Sequence, residues 1–577
     1  MHRAFAAALV LLASACSVQP PAARPEPLAR EIASQRAAPR PSPQSAALLL
    51  ELKPMPKEGT LRVDIVSSTA SPRSWTLADG RAVVVTDVVA RDRNGPVSLS
   101  QSQRDDGTTV FSADRATAAP VKLAYVVSPK GAAATGPDVC RLVVEPDRAS
   151  FCGEQVLALP VTGSGREPTR LRLVADGSFL ADAASSFGLA DDLVTTASPL
   201  ELSSALFVFG NLTTAEMRAP EGRDHAAALG YVSFDPRWVA AEAAGFRTTI
   251  DRWLHVSRPA DDPSAGVLIL AGRHAERPIS IRRRARGLAL SADVSAEFSS
   301  GARIRMAQIF AQRTIGGSLW LGERTGAGEA RGLWFSEGIS RAVALFTLHE
   351  LGAIDDAELA ADLNGFLAEG ALSGSEKLGI DELAARAASS DDAEREAAIR
   401  ALMARGVLVA VDLGPGPLQK VLRNVIEDAG SRRSGEVSRE AFIAAVRDAA
   451  GESKVARLSR SLDEGTVAID RTALGPCLEL VDRPVAPFEL GFVLASAGKE
   501  TRIEKLVSGS AAARAGLRER DVVEAIDYRP DRSDVPVVAT ISRDGARKEV
   551  RFLPAGASKP GRAFSRAKNA PRSCERS

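Results

Sequence analysis

Gly332-Leu333-Trp334-Phe335-Ser336-Glu337-Gly338-Ile339-Ser340 sits near the centre of the chain, preceded by Ala307-Gln308-Ile309-Phe310-Ala311. Both stretches lie in the section from about Ser186 to Ile469, where Ala, Leu, Glu and Arg recur with helical spacing, as in Asp356–Ala368, Asp391–Ala410 and Arg439–Ala450. The periodicity predicts a mainly helical domain over 186–470. Asp192–Met217 reads as mixed strand and loop, so α+β describes the chain better than all-α. Upstream, over 46–185, the runs are short and β-branched (Leu61–Val66, Ala82–Val89, Val121–Val127, Leu171–Val174) and broken by turn residues, which predicts an antiparallel β-sandwich-like domain. Downstream, short strands return around one Ala-rich helix over 475–556. The basic segment 557–577 reads as a solvated tail.

The chain has 577 residues, which is too long for one core and predicts about three domains. Hydrophobic residues at 45% and charged residues at 25% are ordinary for globular material, and a formal net charge of +1 offers no field for nucleic acid. Residues 1–16 pair a basic start (His2, Arg3) with a short apolar run and then Ala13-Ser14-Ala15-Cys16. Such a run is too short to span a bilayer and matches a bacterial lipoprotein signal whose lipidated residue is Cys16. Ala13, where a larger aliphatic residue is usual, leaves ordinary signal cleavage and a soluble secreted protein as the alternative. The Pro/Ala-rich segment 17–45 reads as a tether from the anchor in the cell envelope, facing the periplasm or exterior. Four further cysteines suit an oxidising compartment. Cys140 with Cys152 and Cys477 with Cys574 is the simplest of three connectivities, with free thiols the remaining possibility.

Two segments carry family resemblances. Glu489-Leu490-Gly491-Phe492, followed by Val507–Val523 and Ile541–Gly545, resembles a PDZ domain. The resemblance implies that backbone N–H groups around Leu490, Gly491 and Phe492 hold the C-terminal carboxylate of a peptide that adds as a strand to the sheet edge. Arg520 departs from the glycine usual before the Asp. The segment 332–340, with Leu351–Asp355 and Arg405–Asp412 downstream, is similar to the glycyl aminopeptidases, PDZ-bearing thermolysin-like gluzincins, and implies their order of β, helical and PDZ domains.

A working gluzincin needs H-E-x-x-H on a helix, two imidazoles on one zinc with a glutamate between them as base. With Glu337 placed at the family's third ligand, the motif falls on Ala307, Gln308 and Ala311, leaving no imidazole and no base. None of the five histidines (His2, His225, His255, His274, His349) is four residues from another. The family's amine-holding Gly-Leu-Glu-His stands here as Gly287-Leu288-Ala289-Leu290. No tyrosine lies between this helix and the PDZ-like segment, the three being Tyr125, Tyr231 and Tyr528. No nucleophile elbow, Walker loop or dinucleotide fingerprint is present. The residues thus predict a pseudo-peptidase without metal or cofactor. It would bind protein or peptide C-termini through the PDZ segment and the membrane through its anchor; the alternative is an active metallo-aminopeptidase with an unrecognised metal site.

Overall fold

The computed structural model describes residues 46–131, 140–160, 165–175, 182–219, 222–257, 265–272, 279–323, 326–432, 435–497, 500–528 and 533–574. The signal segment, Cys16, the tether and His274 lie outside them.

The N-terminal part is built on strands β1 (Leu48–Met55), β2 (Thr60–Ser67), β3 (Val83–Asp92), β4 (Gly95–Val97), β5 (Val121–Pro129), β6 (Glu167–Leu173) and β7 (Asp192–Ala197), which form one sheet in the order β7-β6-β1-β2-β5-β3-β4. Leu48, Leu50 and Leu52 of β1 are buried while their neighbours are half-buried, the period of two that puts alternate side chains on one face. Two four-stranded sheets complete this part. Between the layers, the Tyr125 hydroxyl donates to the Val156 carbonyl and accepts from the Ala158 amide, both at 2.7 Å. The β region outruns the boundary expected at residue 185. β7 pairs with β6, and the fully buried Leu206–Gly210 lies between Arg148–Cys152 and Asp182–Ser185.

The next unit has a five-stranded sheet of β8 (Leu212–Ala219), β9 (Gly222–Leu229), β10 (Gly266–Gly272), β11 (Ile279–Arg284) and β12 (Gly287–Asp293), ordered β8-β9-β10-β12-β11. β9, β10 and β12 run parallel, and helix α1 (Pro236–Trp253) makes the crossover from β9 to β10. Helix α2 (Ser300–Thr314) starts on the Ser299 hydroxyl and is buried nearly all round, through Ile304, Met306, Ile309 and Phe310 as well as its alanines. It packs on α1 and on α3 (Ser340–Glu350). Between the helix Gly326–Leu333 and α3, residues Trp334–Ile339 form a π-helical turn that carries Glu337. Helix α4 (Asp356–Ser373) opens with a capping box between Asp355 and Glu358. Helix α5 (Asp392–Leu413) meets the π-helical turn backbone to backbone. A Cβ on Gly406 would lie 1.8 Å from the Trp334 carbonyl oxygen, and one on Gly338 would lie 2.6 Å from the Gly406 Cα. Glycine is required at both positions for the turn to seat.

At the C-terminus, β13 (Leu478–Asp482) pairs with a last strand over 562–566. Between them is inserted an antiparallel sheet of β14 (Val493–Ala497), β15 (Glu500–Glu504), β16 (Val522–Asp527), β17 (Val537–Arg543) and β18 (Ala546–Phe552), in that order, with the short helix Ala511–Arg514. The closing strand β19 (Arg562–Arg566) corrects the expectation of a solvated tail. Phe564 is 2% exposed and joins Leu478 and Leu480 in the helical unit's core, and Asn364 of α4 bonds both its carbonyl (3.0 Å) and its amide (2.6 Å). The inserted body is thus narrower than the segment 475–556. Cys140–Cys152 and Cys477–Cys574 are the disulfides. Among the described residues no helix is long and apolar enough to cross a membrane.

Candidate functional site

Gln308 projects from α2 onto the π-helical turn. Its Nε2 donates to the Glu337 carbonyl (3.2 Å) and to Glu337 Oε2 (3.1 Å), and its Oε1 accepts from Arg341 Nη1 at 3.4 Å. Arg341 in turn binds Asp362 of α4 through Nη2 at 2.5 Å and Nε at 3.2 Å. Arg305, one turn before Gln308, places Nη1 3.7 Å from Glu337 Oε2. Burial pulls the Arg305 guanidinium below its ordinary pKa; the Glu337 charge opposes this, and the like charges of Arg341 and Arg282 add to it. The turn itself is held by Trp334, Phe335 and Phe442, packed edge to face with centroids 5.5–6.1 Å apart. Two sequence candidates, Gln308 and Glu337, are therefore in direct contact, while Arg305, Arg341 and Asp362 join them without having been singled out.

Ala307 and Ala311 are fully buried and offer methyl groups where a metal site needs donors. Glu337 Oε2 already faces the Gln308 amide and Arg305. Catalytic zinc takes three protein ligands, and these residues do not fit it. Among the described residues, the groups of three that could converge on an ion are Cys140, Cys152 and Glu154, and Asp356, Cys477 and Cys574; both include a disulfide and neither lies here. His225 is buried with Nε2 2.9 Å from the Ser185 carbonyl, and desolvation lowers its pKa. His349 pairs with Asp356 at 2.7 Å, and His255 bonds Arg423. Leu288, Ala289 and Leu290 are core residues of β12, with no polar side-chain atom for a substrate amine. Of the tyrosines, Tyr231 is exposed and Tyr528 stacks on Phe488 at 6.0 Å.

The architecture that positions this centre has counterparts among solved structures. The chain is similar to the aminopeptidase N family protein from Idiomarina loihiensis, with a TM-score of 0.64 and 14% identity over 90% of this chain and 98% of that one. The chain has the fold of that aminopeptidase N family protein. It is also similar to the M1 zinc metallopeptidase from Deinococcus radiodurans (TM-score 0.48, 16% identity, 74% of this chain and 95% of that) and to native yeast LTA4 hydrolase (TM-score 0.44, 10% identity, 76% and 72%). No protein-family model matches the sequence, and no curated protein is detectably similar to it.

A cavity of about 740 Å³ opens beside Glu337, between the helical unit and the N-terminal β part. The hairpin of β11 and β12 bridges the two: Ala285 is buried in the β core, and Arg286, only 2% exposed at its side chain, bonds Thr195 Oγ1 (2.7 Å), the Thr196 carbonyl and Glu201 (3.3 Å). Glu201 also takes both ends of Arg166, at 2.6 and 3.0 Å. Burial raises the Glu201 carboxyl, but the Arg166 bonds, the Ser198 amide and the Arg286 charge outweigh it and hold the pKa at about 2.

In the inserted C-terminal sheet, Leu490, Gly491 and Phe492 lead directly into the outer strand β14. Gly491 has φ +77°, and its carbonyl accepts from the Val507 amide at 2.7 Å. Phe492 is buried against Ile503, Leu517 and Phe552, with Leu490 half-buried beside it. Arg520 adopts φ +70°, which explains in physical terms why glycine is usual at that turn.

Proposed function

We propose that this chain is a pseudo-peptidase: a degenerate relative of the glycyl aminopeptidases that binds or scaffolds protein segments without cutting them. The observation that carries the reading is the Gln308 amide donating to Glu337. A neutral amide stands where a general base is needed and engages the carboxylate that would otherwise face a metal. The reading extends to two further parts. The C-terminal sheet serves as a PDZ domain taking peptide C-termini along β14, supported by the outer position of that strand, the left-handed Gly491 before it and Val493 at 50% exposure. Cys16 carries the lipid that tethers the protein in the envelope.

The deciding experiment is metal analysis and aminoacyl-reporter hydrolysis on purified protein, with and without a chelator. No stoichiometric zinc and no turnover are expected. One equivalent of zinc with chelator-sensitive activity refutes the pseudo-peptidase and restores the active-enzyme alternative. For the C-terminal sheet, a peptide with a free C-terminus should bind more tightly than its amidated twin; equal binding rejects carboxylate capture. Cys16→Ser should move the protein from the membrane to the soluble fraction, and an unchanged distribution rejects the anchor.

A further inference from the structure

We propose that the C-terminal closure of this chain is a redox-gated zinc site: once the Cys477–Cys574 bond is reduced, the two sulfurs and the Asp356 carboxylate hold one Zn²⁺. Cys477 Sγ, Cys574 Sγ and a carboxylate oxygen of Asp356 all lie within 4.8 Å of one another. Donors at the ~2.0–2.3 Å usual for zinc stand roughly 3–4 Å apart, so the trio already has about the spacing of three ligands on one tetrahedral ion. The three come from separate parts of the fold. Cys477 immediately precedes β13, Cys574 follows β19 in a one-turn 3₁₀ helix over 572–574, and Asp356 is the first residue of α4. β13 and β19 pair along their whole length, and the two bonds from Asn364 fix β19 on α4, so the S–S bond is not alone in keeping the donors together.

Two further features suit such a site. His349, at the end of α3, places Nε2 2.7 Å from Asp356 Oδ1, the contact by which an imidazole orients a ligating carboxylate. Both cysteines are half-buried, the Asp356 side chain is 27% exposed, and a cavity of about 640 Å³ lined by Asp356, Leu478, Phe564 and Cys574 gives a reductant, and then an ion, a way in. The comparable trio of Cys140, Cys152 and Glu154 lacks this access, Cys140 being 5% exposed and Cys152 0%. The chemistry balances with an external dithiol as electron donor. It gives two electrons and two protons, the Cys477–Cys574 bond breaks to leave a thiol on each sulfur, and the donor departs as its own disulfide. Zinc then displaces both thiol protons to water. Two thiolates and a carboxylate on one spot repel one another until a divalent cation joins them, and two sulfurs with one oxygen select zinc over magnesium or calcium. The ion closes the same loop, of sequence separation 97, that the covalent bond closes.

The test is a Co²⁺ titration of the full chain before and after reduction by a water-soluble phosphine, which opens the bond as a dithiol does without chelating the ion. Thiolate-to-cobalt charge-transfer absorption reports sulfur ligation, zinc is then added as competitor, and alkylation mapping records which cysteines are free. The oxidised chain should show no such band. The chain reduced at Cys477 and Cys574 should take up one equivalent, lose the band as zinc replaces cobalt, and regain with zinc at least half of the Tm lost on reduction. Asp356→Asn should weaken binding at least ~10-fold with the same cysteines free, and Cys574→Ser should abolish it. If Cys574→Ser does not fold, Asp356→Asn decides. No band in a chain with both thiols free, wild-type affinity in Asp356→Asn, or a Tm of the reduced chain that zinc leaves unchanged overturns the proposal. So does a band that survives in Cys574→Ser, which would belong to Cys140 and Cys152, or a Cys477–Cys574 bond that resists excess phosphine in the folded protein. This inference does not depend on the reading of the cleft: zinc bound by the unreduced chain bears on that reading, and zinc gained only on reduction bears on this one.

Discussion

Gln308→Glu probes the centre most directly, because it restores the residue type a metallopeptidase needs without restoring the ligands. At the 3.1 Å separation seen between Gln308 Nε2 and Glu337 Oε2, two carboxylates repel by about 5 kcal/mol at an effective dielectric of ~20. Arg341, 3.4 Å from Gln308 Oε1, returns an attraction of similar size, so the Coulomb terms nearly cancel. What remains is the desolvation of a charge at a position 1% exposed and the loss of two donations to Glu337, together about 3 kcal/mol of destabilisation at pH 7.5. Desolvation raises the folded-state pKa of the introduced carboxyl by about one to two units over an unfolded value of ~4.3. Between those two values the folded state holds the extra proton, so stability relative to wild type falls as pH rises through that window. Below it, the protonated carboxyl regains a donor and the deficit shrinks to about 1 kcal/mol. Urea midpoints at pH 4 and 7.5 read this out. Adding Glu337→Gln reverses the amide–carboxylate pair and should recover at least half of the loss. Added zinc should stabilise neither variant, since Ala307 and Ala311 supply no donors. A Gln308→Glu protein within ~0.5 kcal/mol of wild type at pH 7.5, or a loss independent of pH, refutes the contact.

Other parts of the structure give further expectations. With its carboxyl held at about 2 against 4.5, Glu201 contributes about 3 kcal/mol that is present above pH 4.5 and lost as pH falls through 2; Glu201→Gln should flatten acid unfolding over that range. Phe564→Ala should cost about 3–5 kcal/mol and loosen the closing strand from α4, seen as faster amide exchange over 562–566. Replacing both Cys477 and Cys574 by serine opens a loop with a sequence separation of 97 and should lower stability by about 4–5 kcal/mol; peptide mapping without reductant that finds either residue free removes the basis of that figure.

The register that sets Gln308 opposite Glu337 follows from the resemblance to the glycyl aminopeptidases, and Gln308 and Glu337 are in contact. The partners that complete the centre were less visible. Arg305 stands three before Gln308, and Arg341 four after Glu337, so helical spacing alone could have placed them on the same faces. Arginines in a helical section read as solvated charge, and nothing local shows that these face inward. The β boundary expected at 185 stops short of Leu206–Gly210, an uninterrupted apolar run without the alternation that marks the earlier strands. In the tail the basic residues surround the pair Ala563-Phe564, whose burial depends on Leu480 and Val481 of the distant strand β13 and on Asn364, and no local window contains both.

The charge balance of the centre gives a physical reason why a cation is not wanted there. Arg305 and Arg341 against Glu337 and Asp362 sum to 2 − 2 = 0, each carboxylate already facing a guanidinium. A divalent ion would have to displace Arg305, break the Gln308 bond and accept a single carboxylate in return, while standing close to the displaced guanidinium groups. At a few ångströms and an effective dielectric of ~20, each such repulsion is of the order of several kcal/mol, against one ligand where three are required. Beyond this neutral knot the cavity wall repeats the pattern, with Arg166 and Arg286 on Glu201 and Arg284 on Glu154.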